Sequence, residues 1–295
     1  MLLGGASQAN YIATQTILNQ GDEVLVPEPM YVYYSGWSYL GGAKCINFPI
    51  YEDDDFLINP IDLEKYITPK TKAIIITSPH NPIGQVYTKD CLQKVAKLAQ
   101  KYNFYVISDD IYNRIFFDNV NYYNIASFDG MKERTLIIGS LSKTYAMDGW
   151  RVGYLIAPKE IISGAIKIHQ HTLTCINTFV QYGEKVALTD SQECVERMVT
   201  EFNRRRLLIL SYLDKMDIPY VRPKGAFYVF PNIKQFGLSS EEFCGFLLKE
   251  ARVAVVPGNA FGQAGEGYIR IAFTVPYEVI EEGMERFKKV VGKLK

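Results

Sequence analysis

The sequence predicts an α/β protein with a mostly parallel central sheet, followed by a smaller α+β domain at the carboxyl end. In the first two thirds of the chain, short runs of β-forming residues alternate with segments of helical periodicity. The last third loses this strict alternation. With 295 residues, of which 48% are hydrophobic and 22% charged, the chain is long enough to bury a large core.

The strands and the crossover helices can be placed from local patterns. Buried strands are predicted at Glu23 to Val26, Ala73 to Thr77, Phe104 to Ser108, Leu136 to Ile138 and Gly153 to Ile156. Thr88 is a suitable N-cap for a crossover helix that ends at Asn103. A longer amphipathic helix is predicted from about Cys194 to Met216, with Arg204 to Arg206 partly on its solvated side.

After Ile218, strands and helices follow one another without strict alternation, which favours an α+β arrangement. A helix is predicted near Ser240 to Glu250, then a strand at Tyr268 to Phe273 and a C-terminal helix. We therefore predict a large domain over residues 1–205 and a small domain over residues 206–295.

Charge and cysteine content narrow the class of function. The formal net charge is zero, so no basic surface favours nucleic acid or an anionic membrane, and small molecules are the expected partners. The five cysteines are scattered without a C-x-x-C pair, which indicates reduced, mostly buried thiols and no metal site. The N-terminus lacks a signal-peptide pattern, and no apolar run reaches membrane-spanning length, so a cytoplasmic protein is expected.

The strongest functional pattern surrounds Lys143. Ser140-Leu141-Ser142-Lys143 follows a predicted strand, and Gly-Trp-Arg-Val-Gly-Tyr follows at 149–154. Strand ends are where α/β folds bind ligands, and hydroxyls with an arginine can hold a phosphate. Lysine forms Schiff bases with carbonyl cofactors when its amine is neutral. Lys143 is therefore a candidate covalent anchor.

The run S-x-S-K-T-x-x-x-x-G-W-R-V-G-Y resembles the cofactor-lysine motif of the class I/II, fold-type I, pyridoxal-phosphate-dependent aminotransferases. The resemblance implies that fold, with helices on both faces of the sheet. It also implies that Lys143 forms an aldimine with pyridoxal 5'-phosphate and that Ser140, Ser142 and Arg151 hold the phosphate.

Two further strand ends carry residues that match this family. Asp109 ends an apolar strand, with Tyr112 three residues later, although alone this pattern could be an N-cap that opens a helix. The resemblance implies that Asp109 pairs with the pyridine nitrogen of the cofactor, which keeps the ring an electron acceptor. Tyr112 and Asn81, the latter in a Pro- and Gly-rich stretch that could equally be a turn, would hydrogen-bond the ring oxygen.

Near the N-terminus, Gly5-Ala6-Ser7-Gln8 opens a helix, and a helix N-terminus binds phosphate through unpaired N–H groups. By the resemblance, Ala6 and Ser7 belong to the phosphate loop, and the ring of Tyr31 stacks on the cofactor. From composition alone Tyr31 would be an ordinary core residue.

Arg270 is a lone arginine in an apolar strand, which is costly unless the guanidinium meets an anion. The family's matching arginine holds the α-carboxylate of the amino acid, so we assign Arg270 to substrate binding. A structural ion pair is the alternative.

The activity implied is transfer of an amino group from an L-amino acid to a 2-oxo acid, by a ping-pong mechanism through the Lys143 aldimine, in a homodimer. The stretch Ser78 to Pro82 also resembles pyridoxal-phosphate β-lyases that cleave carbon–sulfur bonds, but those commonly have histidine where Tyr112 stands. A cofactor-binding but inactive or ligand-sensing homologue is a further alternative.

The chain begins almost at the phosphate loop, whereas family members normally carry a further N-terminal segment with a substrate-covering loop. We therefore expect an N-terminally truncated large domain, in which cofactor binding could survive where substrate closure does not. Asp148 is a second departure, because a neutral residue commonly precedes Gly-Trp-Arg.

Overall fold

The computed structural model describes residues 1–294, which form two sheets surrounded by helices. The strands are β1 (Leu2–Leu3), β2 (Glu23–Glu28), β3 (Lys44–Pro49), β4 (Thr71–Thr77), β5 (Tyr105–Asp109), β6 (Thr135–Ser140), β7 (Gly153–Ile156), β8 (Tyr228–Val229), β9 (Val256–Pro257) and β10 (Ile269–Ala272). The helices are α1 (Ala6–Ile17), α2 (Tyr33–Leu40), α3 (Pro60–Glu64), α4 (Lys89–Lys101), α5 (Leu141–Thr144), α6 (Lys159–Thr172), α7 (Thr178–Thr189), α8 (Glu193–Lys215), α9 (Ser240–Phe246) and α10 (Tyr277–Val291).

The large sheet has seven strands in the order β1-β7-β6-β5-β4-β2-β3. Strands β2 to β6 pair in parallel, whereas β7 is antiparallel to β6 and β1 is antiparallel to β7. Thr77 pairs with Asp109, and Asp109 with Ile138, so the carboxyl ends of β4, β5 and β6 meet at one edge. The predicted mostly parallel α/β fold is confirmed, including all five predicted strands.

Strand β4 shows why the central strands are apolar at every position. Ala73 and Ile75 pack into the core cluster that contains α1 and α6, while Ile74 and Ile76 pack into the cluster that contains α4. Because successive side chains of a strand point to opposite faces, helices on both faces require apolar residues throughout.

The second sheet has three antiparallel strands in the order β8-β10-β9. It packs with α8, α9 and α10 into a core cluster that also takes in Tyr112, Ile115 and Phe117 from the chain after β5. The predicted division between residues 205 and 206 falls inside α8, which is one continuous helix, and it stays a prediction.

Two expectations about individual side chains are wrong. Arg206 was predicted on a solvated face, but it is fully buried and donates to both carboxylate oxygens of Asp118, at 2.6 and 2.9 Å. Its partner lies 88 residues away, and helical periodicity carries no information about such a contact. The thiols are free but not mostly buried, because Cys91 is buried whereas Cys175 and Cys194 are exposed.

None of the helices within residues 1–294 combines the length and the apolar character needed to cross a bilayer.

Candidate active site

The predicted site residues converge at the carboxyl edge of the large sheet, where residues of the second sheet approach it. Asp109 ends β5, Asn81 follows β4 and Lys143 follows β6. From the small sheet, Arg270 of β10 reaches Asn81, and Tyr228 of β8 reaches the chain after β5. Residues far apart in sequence therefore share one site.

Asp109 is a buried carboxylate whose hydrogen bonds come from neutral groups. Its Oδ2 accepts from Nδ2 of Asn10 at 3.0 Å and from the hydroxyl of Tyr34 at 2.9 Å. Its Oδ1 accepts from the backbone N–H of Ile111 at 3.4 Å. Burial raises the pKa of Asp109 to about 6, and these hydrogen bonds oppose that rise. No lysine or arginine within residues 1–294 forms a salt bridge with it, so Oδ1 can still accept from a cationic N–H group. Turns follow Asp109, and no helix opens there.

Sequence reasoning missed the two side chains that hold Asp109. Asn10 lies among the buried positions Ala9, Ile12 and Ala13 of α1, and a polar residue on an apolar helix face was the available signal. Tyr34 also hydrogen-bonds the hydroxyl of Thr77 at the end of β4. Nothing in the tyrosine-rich stretch around it distinguishes this ring from its neighbours.

Asn81 and Arg270 are joined directly. Nη1 of Arg270 donates to Oδ1 of Asn81 at 3.0 Å, which orients the amide and leaves its Nδ2 free to donate elsewhere. The guanidinium carbon lies 4.5 Å from the ring centroid of Tyr228 and 4.7 Å from that of Phe261. Arg270 makes no salt bridge within the part of the chain that the structure describes, and its Nε has no hydrogen-bond partner there. This excludes the alternative of a structural ion pair within those residues and leaves a cation ready for an external carboxylate.

Tyr112 is almost fully buried, and its hydroxyl lies 2.9 Å from the hydroxyl of Tyr228. Burial raises the pKa of Tyr112 well above its ordinary value, so the phenol keeps its proton at neutral pH and can donate it. The sequence patterns did not assign Tyr228 to the site.

Lys143 lies in α5, directly after β6, and is half-buried. Its Nζ is 5.8 Å from the ring centroid of Phe227, a neighbour of Tyr228. It forms no salt bridge with any carboxylate among residues 1–294, so the amine is not committed to a structural role there.

A cradle suited to an anion lies at the N-terminus of α1. The helix begins at Ala6 without a side-chain cap, and a Cβ at Gly5 would lie only 2.7 Å from Nη2 of Arg151. Gly153, which pairs with Ser140, is so close that a Cβ there would lie 2.9 Å from the N atom of Ala6. Unpaired helix N–H groups and an arginine without a carboxylate partner in residues 1–294 suit a phosphate.

The remaining cradle residues are arranged around these groups. Ser140 is buried, and its hydroxyl is within hydrogen-bond distance of the hydroxyl of Ser142 and of the carbonyl oxygen of Val152, each at 2.9 Å. Ser7 occupies the first turn of α1. Asp148 is exposed, and Arg151 contacts its carbonyl oxygen at 2.9 Å.

Tyr31 packs edge-on against Tyr33 and Tyr34, with ring centroids 5.2 and 5.5 Å apart. Burial is the main cause that raises its pKa to about 12, and the charges of Asp109 and Arg270 also act on it. The ring therefore lies beside Tyr34, whose hydroxyl donates to Asp109. The functional roles of all these residues stay predictions.

Comparison with known proteins is consistent with this geometry. Residues 1–287 match the family model for aminotransferase class I and II. The aspartate aminotransferase of Pyrococcus abyssi is 47% identical over 297 residues, covering 100% of this chain and 76% of the relative. An aromatic-amino-acid aminotransferase of Thermococcus litoralis is 45% identical, with the same two coverages.

Solved aminotransferase structures also resemble the chain in fold. The aromatic aminotransferase of Pyrococcus horikoshii superposes with a TM-score of 0.98 at 46% identity, covering 100% of this chain and 80% of that one. The aspartate aminotransferase of Thermus thermophilus with maleate gives a TM-score of 0.93 at 33% identity, covering 98% and 75%.

Proposed function

The chain belongs to the class I and II aminotransferases and is a transaminase, and on this basis we propose that it uses pyridoxal phosphate to move the amino group of an L-amino acid to a 2-oxo acid. The transfer takes place in two half-reactions, the second of which reverses the first with a different oxo acid. The names of the relatives support aspartate or an aromatic amino acid as donor.

The observation that carries the proposal is the buried carboxylate of Asp109, whose hydrogen bonds within residues 1–294 come from neutral groups. When bound, pyridoxal phosphate supplies a ring that accepts the electrons released as a bond to the substrate Cα breaks. That ring needs a protonated nitrogen, and Asp109 offers an acceptor oxygen held by Asn10 and Tyr34. A buried carboxylate is stabilised by such a cationic partner.

The other residues fit the remaining parts of the cofactor. Nδ2 of Asn81 and the hydroxyl of Tyr112 are donors suited to the ring oxygen, and the ring of Tyr31 would cover one face. The phosphate would bind in the cradle at the start of α1, formed by Ala6, Ser7, Ser140, Ser142 and Arg151. Lys143 would hold the cofactor covalently through Nζ.

Two residues would act on the substrate. Nε of Arg270 has no hydrogen-bond partner in the part of the chain that the structure describes, so the guanidinium would bind the α-carboxylate and orient the bonds to Cα. Lys143, once displaced by the substrate amine, would act as the base that takes the proton from Cα and delivers it to the cofactor.

We also propose a two-domain protein, divided as 1–205 and 206–295, that works as a cytoplasmic homodimer. Exposed apolar side chains support self-association: Trp150 beside the phosphate cradle, and Phe179, Tyr182 and Val186 on one side of α7. Apolar clusters of this kind on a protein surface often mark interfaces.

Absorbance spectroscopy tests the assignment directly. Purified protein would be incubated with pyridoxal phosphate, freed of excess cofactor, and compared with Lys143→Ala and with Lys159→Ala, which removes an exposed lysine at the start of α6. We expect a visible band in the wild type and in Lys159→Ala, and none in Lys143→Ala.

Aspartate, tyrosine and alanine would then be added in turn, without an oxo acid. Loss of the visible band with stoichiometric 2-oxo acid identifies a half-reaction and names the donor. A band equally present in Lys143→Ala contradicts the role of Lys143. Release of pyruvate and ammonia from cysteine, without any half-reaction, contradicts the transaminase chemistry proposed for the site.

A further inference from the structure

Tyr228 contacts both the cofactor side and the substrate side of the site. Its hydroxyl lies 2.9 Å from that of Tyr112, and its ring centroid lies 4.5 Å from the guanidinium carbon of Arg270. The side chain is 7% exposed. It belongs to β8, in a segment to which the sequence pattern assigned no function.

We propose that Tyr228 is a positioning residue with two separable roles: its hydroxyl strengthens Tyr112 as a hydrogen-bond donor, and its ring holds the guanidinium of Arg270 in place for a carboxylate. This inference rests on the proposed function, because it takes Tyr112 to face the cofactor's ring oxygen and Arg270 to face the substrate.

The hydroxyl role follows from counting protons. Tyr112 has one O–H, and if it donates to an anionic ring oxygen, its own oxygen accepts the proton of Tyr228. A donor that itself accepts a hydrogen bond is polarised and donates more strongly. Burial raises the pKa of Tyr228, so this hydroxyl keeps its proton at neutral pH.

The ring role follows from the surroundings of Arg270. The guanidinium carbon lies over the rings of both Tyr228 and Phe261, and within residues 1–294 its side-chain hydrogen bond goes to Asn81. Aromatic faces attract a guanidinium without using its N–H groups, which stay free for a carboxylate. Loss of one face would let the guanidinium move and weaken two-point binding.

The backbone before Tyr228 leaves little room for adjustment. A Cβ at Gly225 would lie 2.5 Å from Cγ of Pro79 and 2.8 Å from the carbonyl oxygen of Ile115. Ala226 has a φ of 56°, a conformation that non-glycine residues seldom adopt. The segment is therefore seated against the chain after β4 and β5, which fixes Tyr228 relative to Asn81 and Tyr112.

Two variants of Tyr228 separate the roles. Tyr228→Phe removes the hydroxyl and keeps the ring, whereas Tyr228→Leu removes both. Tyr220→Phe is the matched control, because it also removes a tyrosine hydroxyl, but one that donates to Asp214 at 2.8 Å in an exposed contact. Each protein would be loaded with pyridoxal phosphate and characterised without turnover.

The first readout is the pH midpoint of the visible absorbance band. A weaker donor at the ring oxygen disfavours negative charge there, so we expect Tyr228→Phe and Tyr228→Leu to raise the midpoint by roughly 0.5 pH unit. Tyr220→Phe should leave it unchanged. A midpoint in Tyr228→Phe that equals that of the wild type would overturn the hydroxyl role.

The second readout is the dissociation constant of two unreactive carboxylates, succinate and 3-phenylpropionate, followed by the same band. We expect Tyr228→Phe to bind within about twofold of the wild type, and Tyr228→Leu to bind about 3- to 30-fold more weakly. Equal constants in the two variants would overturn the ring role. If Tyr228→Leu does not fold, Tyr228→Met replaces it as a variant without an aromatic face. Binding by the folded Tyr228→Met about 3- to 30-fold weaker than by Tyr228→Phe would support the ring role, and equal constants would overturn it.

Failure of this inference can be told from failure of the proposed function. If the wild type shows no band that depends on Lys143, the function proposed above is wrong. If the wild type shows that band and all Tyr228 variants behave like Tyr220→Phe, only the role of Tyr228 is wrong.

Discussion

Replacing Asp118 by asparagine should destabilise the protein by leaving a fully buried guanidinium without its counter-ion. Arg206 donates to both oxygens of Asp118 and to the carbonyl of Pro223 at 2.6 Å. This contact joins α8 to the chain after β5. Asparagine keeps the shape of Asp118 and tolerates its positive φ of 57°, so the change isolates the charge.

The magnitude follows from linkage. The hydrogen bonds and charge of Arg206, with a smaller part from Arg222 and against the opposing effect of burial, lower the pKa of Asp118 from 3.8 to about 2. A shift of this size corresponds to about 2 kcal/mol at neutral pH. Because 37% of the Asp118 side chain is exposed, solvent screening reduces the charge contribution to about 1 kcal/mol. Arg206→Ala should cost more, about 3 kcal/mol or above, because it also leaves a cavity and an unpaired buried carbonyl.

Urea unfolding followed by circular dichroism measures these changes, in a cycle of Asp118→Asn, Arg206→Ala and the double variant. We expect a coupling of about 1 kcal/mol between the two sites. Arg222→Ala is the control, since its exposed contact with Asp118 should contribute less than about 0.5 kcal/mol.

The lowered pKa of Asp118 also determines the direction in which the stability contributed by this pair changes with pH. A carboxyl whose pKa is lowered on folding contributes stability above its ordinary pKa of 3.8 and loses that contribution as the pH falls through about 2. The difference in stability between wild type and Asp118→Asn should therefore shrink as the pH falls from 4 towards 2. Additive effects in the cycle, or a difference that grows on acidification, would refute the reasoning.

Three further changes test the site. Asp109→Asn should slow the half-reaction about 100-fold while cofactor is retained, because a neutral amide lacks the negative charge that keeps the ring nitrogen protonated. A half-reaction rate near that of the wild type, measured by stopped-flow absorbance, would contradict this prediction. Gly5→Ala should raise the dissociation constant of pyridoxal phosphate about tenfold above that of Gly21→Ala. Both glycines have a φ of 89°, but only a Cβ at Gly5 meets Arg151, so equal constants in a titration of apoprotein would count against the cradle. Arg270→Lys should weaken succinate binding about 10-fold or more, since lysine cannot donate two parallel hydrogen bonds, and unchanged affinity would exclude the carboxylate role.

Much of the candidate site could be predicted because its residues follow strand ends in short local patterns. Lys143 follows β6 and Asp109 ends β5, and parallel strands bring their carboxyl ends to one edge whatever the rest of the chain does. Asn81 follows the neighbouring strand, β4. For such residues the strand pattern and the motif together were sufficient.

The residues that support this site could not be found in the same way. Asn10 lies 99 residues from Asp109, and Tyr228 lies 116 residues from Tyr112. No local pattern relates the members of such pairs, because each contact depends on how distant elements pack. The burial of Arg206 went unpredicted for the same reason.

By itself the sequence determined the α/β class, the strands β2, β4, β5, β6 and β7, and the strand-end residues that mark a cofactor site. Tertiary structure alone decided that β7 and β1 run antiparallel, that Arg270 lacks a carboxylate partner within residues 1–294, and that Tyr228 lies between two parts of the site. The physical reason is the distance along the chain over which each interaction acts. Hydrophobic periodicity and capping act over a few residues and can be read locally, whereas strand direction, burial of charge and side-chain partners follow from contacts that only the folded chain creates.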